Sequence, residues 1–204
     1  MLAVANVPTK RKAGELKAVI DGIKRITGAP GVIIVGHSLG GLAARAYIQG
    51  FGHDRSGATI PYAQDVAALV MISTPNQGSV LARLSGNPER DACVLADTAN
   101  LRDLRPTSSF LLGLNRRSWP QPVGAHSIIS NNEGRDSDDV VTITSQDLSE
   151  IPRYEFLRNG RRWRQSFKRD GILHLRVHNE PTTISLFTGI VADIDQRLRV
   201  LAGQ

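Results

Sequence analysis

A serine between small residues, in the hexapeptide Gly-His-Ser-Leu-Gly-Gly at residues 36–41, is the segment of this sequence best suited to chemistry. A serine hydroxyl is a weak nucleophile until an adjacent base takes its proton, and it must project where base and substrate both reach it. A sharp turn from a strand into a helix achieves this, and small residues at positions 36 and 40 are expected to let the two backbones approach closely. The pattern predicts Ser38 as the nucleophile. It also predicts that the backbone N–H of Leu39, at the start of the helix, stabilises a developing oxyanion.

The elements predicted around this turn are the ones that such a nucleophile needs. Residues 9–27 carry apolar side chains at helical spacing, and residues 39–50 indicate a second helix directly after Ser38. Between them, Val32-Ile33-Ile34-Val35 is a β-branched run typical of a strand buried on both faces of a parallel sheet. Further strands are predicted at 66–72, at 127–130 and from Ile172 to Val177, and a last helix at 183–201. The alternation predicts one α/β domain, residues 1–204, with a mostly parallel sheet.

Composition limits the classes of protein and of site. Hydrophobic residues make up 41% and charged residues 22% of the 204 residues, which is ordinary for a globular domain. Cys93 is the single cysteine, so an internal disulfide and a cysteine-based metal site are both excluded. We predict no metal ion and no cofactor, since no spacing of His, Cys and Asp is typical of a metal site. The first residues lack the pattern of a secretory signal, and no apolar stretch could span a membrane, so a cytoplasmic location is the default expectation.

The positive charge is concentrated in one segment. The formal net charge is +6, and much of the excess lies in residues 158–169. Asn159-Gly160 within this segment is a strong two-residue turn signal between runs that could be strands, so we interpret the cluster as a solvated hairpin. Nucleic-acid binding through these residues is the alternative, but no nucleic-acid motif accompanies the charge, and we expect no such partner.

Three segments resemble one family of enzymes. Residues 35–47, Val-Gly-His-Ser-Leu-Gly-Gly-Leu-Ala-Ala-Arg-Ala-Tyr, look like the nucleophile segment of bacterial triacylglycerol lipases and of lipase-like GPI-inositol deacylases. Residues 73–79 resemble their Thr-Pro-His-x-Gly-Ser motif, with Asn76 where His is usual, and residues 104–115 look like the lid region. The resemblance extends from about residue 12 to 200. It implies an α/β-hydrolase fold with helices on both faces of the sheet and a lid-like insertion at 80–126.

The resemblance also implies where the catalytic acid lies. In this fold the acid follows the nucleophile and precedes a C-terminal histidine. The segment Asp138-Asp139-Val140-Val141 is similar to the family's Asp-Gly-Val-Val loop, which makes Asp138 the acid and puts Asp139 in place of the glycine. Asp139 is the first alternative, and Asp136 and Glu133 are the others. A further reading is that the acidic loop only turns the chain or binds a cation.

The catalytic base is expected among the C-terminal histidines. His174 and His178 both fall in Leu173-His174-Leu175-Arg176-Val177-His178, and on a strand their side chains would share a face. The base of this fold lies in the loop before the last helix, and His178 ends the segment. The resemblance therefore implies His178 as the base, with His174 as the alternative. His37 adjoins the nucleophile on a tight turn and is predicted to have a packing or hydrogen-bonding role.

The combined prediction is a serine hydrolase that cleaves carboxylic esters through a Ser38–Asp138–His178 triad and an acyl-enzyme. Its partner would be a small-molecule ester or a lipid, in solution or at a lipid surface. Acyl transfer or thioester hydrolysis would use the same groups. The apolar residues of the insertion could line an acyl pocket or belong to the core; they are Phe110, Leu111, Leu112 and Leu114.

A further expectation concerns the N-terminal side. The family's second oxyanion donor comes from a His-Gly-type loop upstream of the nucleophile, and the 37 residues before Ser38 hold no such loop. The resemblance therefore implies that an N-terminal part of the domain is missing and that the edge of the strand at 32–35 is left unpaired. An inactive or binding-only fragment is the alternative that follows.

Overall fold

The computed structural model describes residues 7–79, 98–152, 154, 161–168 and 172–201. The helices are α1 (Thr9–Thr27), α2 (Leu39–Ile48), α3 (Thr98–Asp103), α4 (Ser109–Asn115), α5 (Ile143–Gln146) and α6 (Pro181–Leu201). The strands are β1 (Val32–His37), β2 (Gly52–His53), β3 (Thr59–Ile60), β4 (Val66–Ile72), β5 (Gly124–Asn132) and β6 (Arg162–Phe167). Short 3₁₀ helices span Leu148–Glu150, Leu173–Leu175 and Val177–Asn179. The predicted helices at 9–27, 39–50 and 183–201 and the predicted strands at 32–35, 66–72 and 127–130 are confirmed.

The main sheet has the strand order β1-β4-β5-β6, and every neighbouring pair is parallel. Val35 pairs with Val70, and Leu69 pairs with Ala125; the register between β1 and β4 shifts once, between Val32 and Ile33. Because parallel strands all end at the same edge, the residues that follow β1, β4 and β5 meet there. This edge carries the turn at Ser38 and the acidic loop.

Helices cover both faces of the sheet, as predicted. Leu69 and Met71 of β4 pack with residues of α1 and α2 in one apolar cluster. Val70 and Ile72, which point the other way along the same strand, pack with residues of the 3₁₀ helices and of α6. β4 is thus buried on both sides, which explains why its sequence is a continuous apolar run and not an alternating one.

The described part of the predicted insertion belongs to the body of the domain. Phe110, Leu111 and Leu114 of α4 are buried in the same cluster as α2, and Leu112 is 45% exposed. These side chains were expected either to line an acyl pocket or to belong to the core. The three buried ones belong to the core. Residues 80–97, the first part of the insertion, lie outside the described residues.

The strand predicted from Ile172 to Val177 is wrong. These residues form two consecutive 3₁₀ helices, because their backbone groups bond locally: Arg176 N–H donates to the Leu173 carbonyl and Asn179 N–H to that of Arg176. The place beside β5 is taken by β6. Leu173 and Val177 of this run are buried in one cluster with Ile190 of α6, whereas Leu175 is 45% exposed.

The basic segment contributes β6 to the sheet. Its Asn159-Gly160 turn lies outside the described residues, but β6 pairs in parallel with β5 and its exposed and half-buried residues alternate. Arg162 forms an ion pair with Asp147 at 3.0 Å, and Arg161 forms one with Asp193. Part of the charge in this segment is therefore neutralised within the domain.

The other edge of the sheet is β1. Among the described strands β1 pairs only with β4, and Val35 is 40% exposed. Within the described part of the chain, no helix combines the length and the apolarity needed to cross a membrane. The same residues contain no cluster of His, Cys, Asp and Glu arranged to hold a metal ion.

Candidate active site

The turn at Ser38 has the strained geometry that exposes a nucleophile. Ser38 lies between β1 and α2 with φ 52° and ψ −125°, a left-handed conformation that a side chain rarely adopts. Its backbone N–H donates to the Ile72 carbonyl at 2.9 Å, and its carbonyl accepts from Gly41 N–H at 3.1 Å. The strain is held by bonds to β4 on one side and to α2 on the other. Such strain in a strand-to-helix turn is typical of a functional position.

Two glycines make the tight turn possible. A Cβ on Gly36 would lie 2.8 Å from the Gly41 backbone, and a Cβ on Gly41 would lie 2.0 Å from the Thr74 hydroxyl oxygen. Gly40, which the sequence suggested as the second close contact, has open space at its Cβ position. The close approach therefore involves positions 36 and 41. It joins β1, α2 and the residues after β4.

We predict opposite effects for alanine at the two neighbouring glycines. Gly41→Ala forces its methyl group into Thr74 and should lower the free energy of unfolding by about 3 kcal/mol. Gly40→Ala, the matched control, meets nothing within 4 Å and should raise it by up to about 1 kcal/mol, because alanine is the better helix former. Urea unfolding of the two variants measures both values. Equal stabilities would contradict the packing described here.

Asp138 is fixed in one orientation by its own loop. It is fully buried, and its Oδ1 accepts hydrogen bonds from the backbone N–H groups of Val140 at 3.1 Å and Val141 at 2.7 Å. Its Oδ2 lies 2.7 Å from His174 Nδ1. One carboxylate oxygen is thus occupied by the loop backbone, and the other is presented to the imidazole.

The alternative acids have other contacts. Asp139 binds Arg135 at 2.7 Å and accepts from Leu173 N–H at 3.2 Å, and it also contacts Asn132. Its φ of 76° explains why the family pattern has glycine here, and aspartate is among the few other residues that tolerate this conformation. Asp136 and Glu133 are exposed.

The imidazole that joins Ser38 to Asp138 is that of His174, and not that of His178. His174 Nε2 lies 2.7 Å from Ser38 Oγ, and His174 N–H donates to the Asp138 carbonyl at 3.0 Å. A carboxylate only accepts, so His174 Nδ1 carries the proton and Nε2 is free to accept from the serine hydroxyl. Ser38 and Asp138 are therefore brought together as predicted, through the histidine named as the alternative.

His178 lies behind this group. Its ring centroid is 4.4 Å from that of His37, and it makes no hydrogen bond with Ser38 or Asp138. The expectation for His178 came from the resemblance, which puts the base in the loop before the last helix. The two histidines lie in separate 3₁₀ helices, His174 in Leu173–Leu175 and His178 in Val177–Asn179, and their rings make different contacts. The bond from His174 N–H to the Asp138 carbonyl places the ring of residue 174 at the site.

His37 supports the loop that carries His174. Its Nε2 donates to the His174 carbonyl at 3.0 Å, and its ring lies against the rings of His174 and His178. The pKa of His37 is lowered to about 3, first by burial and then by the neighbouring rings of His174 and His178, against smaller opposing effects of the hydrogen bond to the His174 carbonyl and of Asp138. The ring is therefore neutral at neutral pH, in agreement with the hydrogen-bonding role predicted for it.

The low pKa of His37 predicts acid sensitivity. In the unfolded chain the ring has its usual pKa of 6.5, so below that pH the unfolded chain binds a proton that the folded protein does not. The contribution of the neutral ring to the free energy of unfolding is therefore fully present above pH 6.5 and is lost as the pH falls towards 3. His37→Gln keeps an N–H that can donate to the His174 carbonyl but does not titrate. Between pH 7 and pH 5 the wild type should lose about 2 kcal/mol more stability than this variant. Urea unfolding at the two pH values tests this, and an equal loss in both proteins would refute it.

Leu39 begins α2, so its N–H belongs to the first turn, whose N–H groups have no partner within the helix. It follows Ser38 directly and lies at the positive end of the helix dipole. The role of this N–H as an oxyanion donor stays a prediction.

The chain is similar to one known protein family and to several solved structures. Residues 9–158 match the family described as lipase (class 2). Among solved structures, the mature lipase BlEst2 of Bacillus licheniformis is 16% identical with a TM-score of 0.59, over 88% of this chain and 74% of that one. A carboxylesterase structure from Nitrososphaera gargenis is 13% identical with a TM-score of 0.54, over 96% of this chain and 76% of that one. The lin2722 gene product of Listeria innocua is 17% identical with a TM-score of 0.50 over 89% of this chain.

These structural likenesses show the fold, which is that of the α/β-hydrolases. The chain spans 65% of the length of the Listeria innocua protein. No curated protein sequence matches the chain significantly. Because the family match covers most of the chain and the fold agrees with it, the chain belongs to the lipase (class 2) family.

Proposed function

We propose that this protein is a serine hydrolase that cleaves carboxylic esters with Ser38 as nucleophile, His174 as base and Asp138 as acid. The observation that carries the proposal is the pair of 2.7 Å contacts that His174 makes, through Nε2 with Ser38 Oγ and through Nδ1 with Asp138 Oδ2. These are the distances and the order of contacts that general-base activation of a hydroxyl requires. The strained turn and the buried carboxylate hold both ends of this line.

The first half of the reaction acylates Ser38. His174 Nε2 takes the hydroxyl proton while Oγ forms a bond to the ester carbonyl carbon, whose oxygen becomes an oxyanion. Leu39 N–H donates to that oxyanion, and Asp138 stabilises the imidazolium that has formed. The carbon–oxygen bond to the alcohol then breaks, and His174 gives its proton to the leaving oxygen. An acyl-enzyme on Ser38 remains.

The second half restores the enzyme. A water molecule loses a proton to His174 Nε2 and attacks the acyl carbonyl carbon, and a second oxyanion forms at the same place. The bond to Ser38 Oγ then breaks, Oγ regains the proton from His174, and the carboxylic acid departs. The substrate is a lipid or a small-molecule ester, in agreement with the family.

The test uses two reagents on the wild-type protein. A fluorophosphonate should label it once per chain, with the adduct mapped to Ser38 by mass spectrometry, and p-nitrophenyl esters of different acyl length should be hydrolysed with a burst of one nitrophenolate per labelled site. Ser38→Ala, which removes only the hydroxyl, is the control and should show neither. Folded wild-type protein that takes no label and hydrolyses no ester would overturn the proposal.

A further inference from the structure

Arg45, in the helix that begins at the nucleophile, is a fully buried cation that has no carboxylate partner among the residues the structure describes. Its exposed fraction is 0%, and none of the groups acting on it in the described part of the chain is an Asp or a Glu. Burial lowers the pKa of its guanidinium to about 10, with a smaller opposing effect of Tyr154, so the group is charged at neutral pH. Burying an arginine costs free energy unless its N–H groups find hydrogen-bond acceptors.

Within the described part of the chain, the acceptors of Arg45 are neutral amide oxygens, and they come from different segments. Nη1 donates to Asn76 Oδ1 at 3.0 Å, and Nη2 donates to Asn115 Oδ1 at 2.9 Å. Nε donates to Gln49 Oε1 at 3.3 Å. One guanidinium thus ties α2 to the loop after β4 and to the end of α4. The planar fork of arginine suits such a three-way contact, whereas an ammonium group would act as a single point.

From Asn76 the bonds continue to the acid. Asn76 Nδ2 donates to the Gln146 carbonyl at 2.9 Å, and Gln146 Nε2 donates to the carbonyls of Ser130 and Val141, both at 2.9 Å. The Val141 carbonyl also accepts from Asp138 N–H at 3.2 Å, and Val141 N–H donates to Asp138 Oδ1 at 2.7 Å. A continuous set of buried hydrogen bonds therefore leads from α2 through Asn76 and Gln146 to the Asp138 carboxylate.

The network also accounts for the departure at position 76, where the resembled family usually has histidine. The asparagine side chain accepts from Arg45 through Oδ1 and donates to Gln146 through Nδ2. A neutral histidine offers the same combination, with one ring nitrogen accepting and the other donating. A side chain without polar atoms would leave a charged donor and a carbonyl unpaired in the interior.

We propose that Arg45 and Asn76 are positioning residues that set the separation between the nucleophile helix and the Asp138 loop, and thereby the contacts of His174 with both. The inference rests on the proposed function and extends it to residues that do not touch substrate. Misplacement of reacting groups by about 1 Å can reduce turnover about a hundredfold, which gives the scale of the expected effect. Substrate binding should change little, because neither side chain reaches the reacting atoms.

The test compares variants at the two positions. Arg45→Met keeps an unbranched chain of similar length and removes the donors; Asn76→Leu keeps the volume and removes both polar atoms; Asn76→His is the conservative variant. Ile20→Ala, a buried core change in α1 away from the network, is the control for lost stability alone. For each folded variant the measurements are kcat and KM for a p-nitrophenyl ester, the rate of fluorophosphonate labelling and the melting temperature, with kinetics recorded well below melting.

We expect Arg45→Met and Asn76→Leu to lower kcat and the labelling rate ten- to a hundredfold, with KM changed by less than about threefold. Asn76→His should stay within about threefold of the wild type, and Ile20→Ala should melt earlier without loss of kcat. If Arg45→Met does not fold, the two Asn76 variants decide. Losses of kcat no larger than that of Ile20→Ala, or equal losses in Asn76→His and Asn76→Leu, would overturn the inference. Activity that persists in Ser38→Ala would instead overturn the proposed function.

Discussion

His174→Ala is expected to lower kcat for ester hydrolysis on the order of a million-fold, whereas His178→Ala should stay within about tenfold of the wild type. The reason is the 2.7 Å contact of His174 Nε2 with Ser38 Oγ, since among the described residues this imidazole is the base that hydrogen-bonds that hydroxyl. His178 only packs against the ring of His37, 4.4 Å away between centroids. Steady-state kinetics with a p-nitrophenyl ester, on variants with wild-type circular dichroism, measure both effects.

The pair of variants separates two assignments of the base that differ by four residues. Fluorophosphonate labelling gives a second readout, because the reagent also needs an activated hydroxyl and should label only His178→Ala at close to the wild-type rate. The reverse result, with His178→Ala inactive and His174→Ala active, would show that the working enzyme uses the histidine first expected from the sequence. Equal and large losses in both would show that the adjacent rings of His37, His174 and His178 act as one unit.

The parts of this fold that could be predicted from the sequence are those determined by local patterns. The β-branched run at 32–35 and the apolar run at 66–72 are both strands, as their composition indicates. The expected burial on both faces holds for 66–72 and is wrong for 32–35, because β1 is an edge strand of the described sheet and Val35 is 40% exposed. α1 was recognisable from its helical spacing, and its end from Gly28, which adopts the left-handed conformation that terminates helices. Ser38 was recognisable because a short glycine-rich pattern stood between such a strand and such a helix.

The proposed base could not be chosen in the same way, because the position of His174 depends on contacts distant in sequence. His174 is 36 residues from Asp138 and 136 residues from Ser38. The apolar residues around it, read as a strand, suggested a period of two, and the local 3₁₀ hydrogen bonds that the backbone adopts leave no signal in the pattern of side chains. The resemblance to a family located the loop but not the residue within it.

One feature of the sequence indicates that Arg45 has buried partners. Arg45 stands in an otherwise apolar stretch of helix, Leu-Ala-Ala-Arg-Ala-Tyr-Ile, in which every residue is buried. A helix that is apolar on all sides is an interior helix, so a charged residue within it must find partners inside the protein. The identity of those partners, Asn76 and Asn115, depends on the tertiary fold and could not be predicted.

Asp138→Asn is expected to lower kcat about ten-thousandfold while the protein stays folded. The amide can keep its oxygen towards the N–H groups of Val140 and Val141, which turns its NH₂ group towards His174 Nδ1. Nδ1 must then accept, so the ring proton moves to Nε2, and a protonated Nε2 cannot take the proton of the Ser38 hydroxyl. The measurement is kcat for a p-nitrophenyl ester, with the melting temperature as a check on the fold.

Asp139→Asn is the matched control, because it makes the same chemical change one residue away. Asp139 binds Arg135, which is largely exposed, and Leu173 N–H, so its amide should reduce kcat by no more than about tenfold. The contrast separates the loss of the proton acceptor from a general disturbance of the acidic loop. If both variants lost the same factor, the loop's overall charge and not the orientation of His174 would govern the rate. If Asp139→Asn alone were inactive, the orienting carboxylate would be Asp139, and the assignment of Asp138 would be wrong.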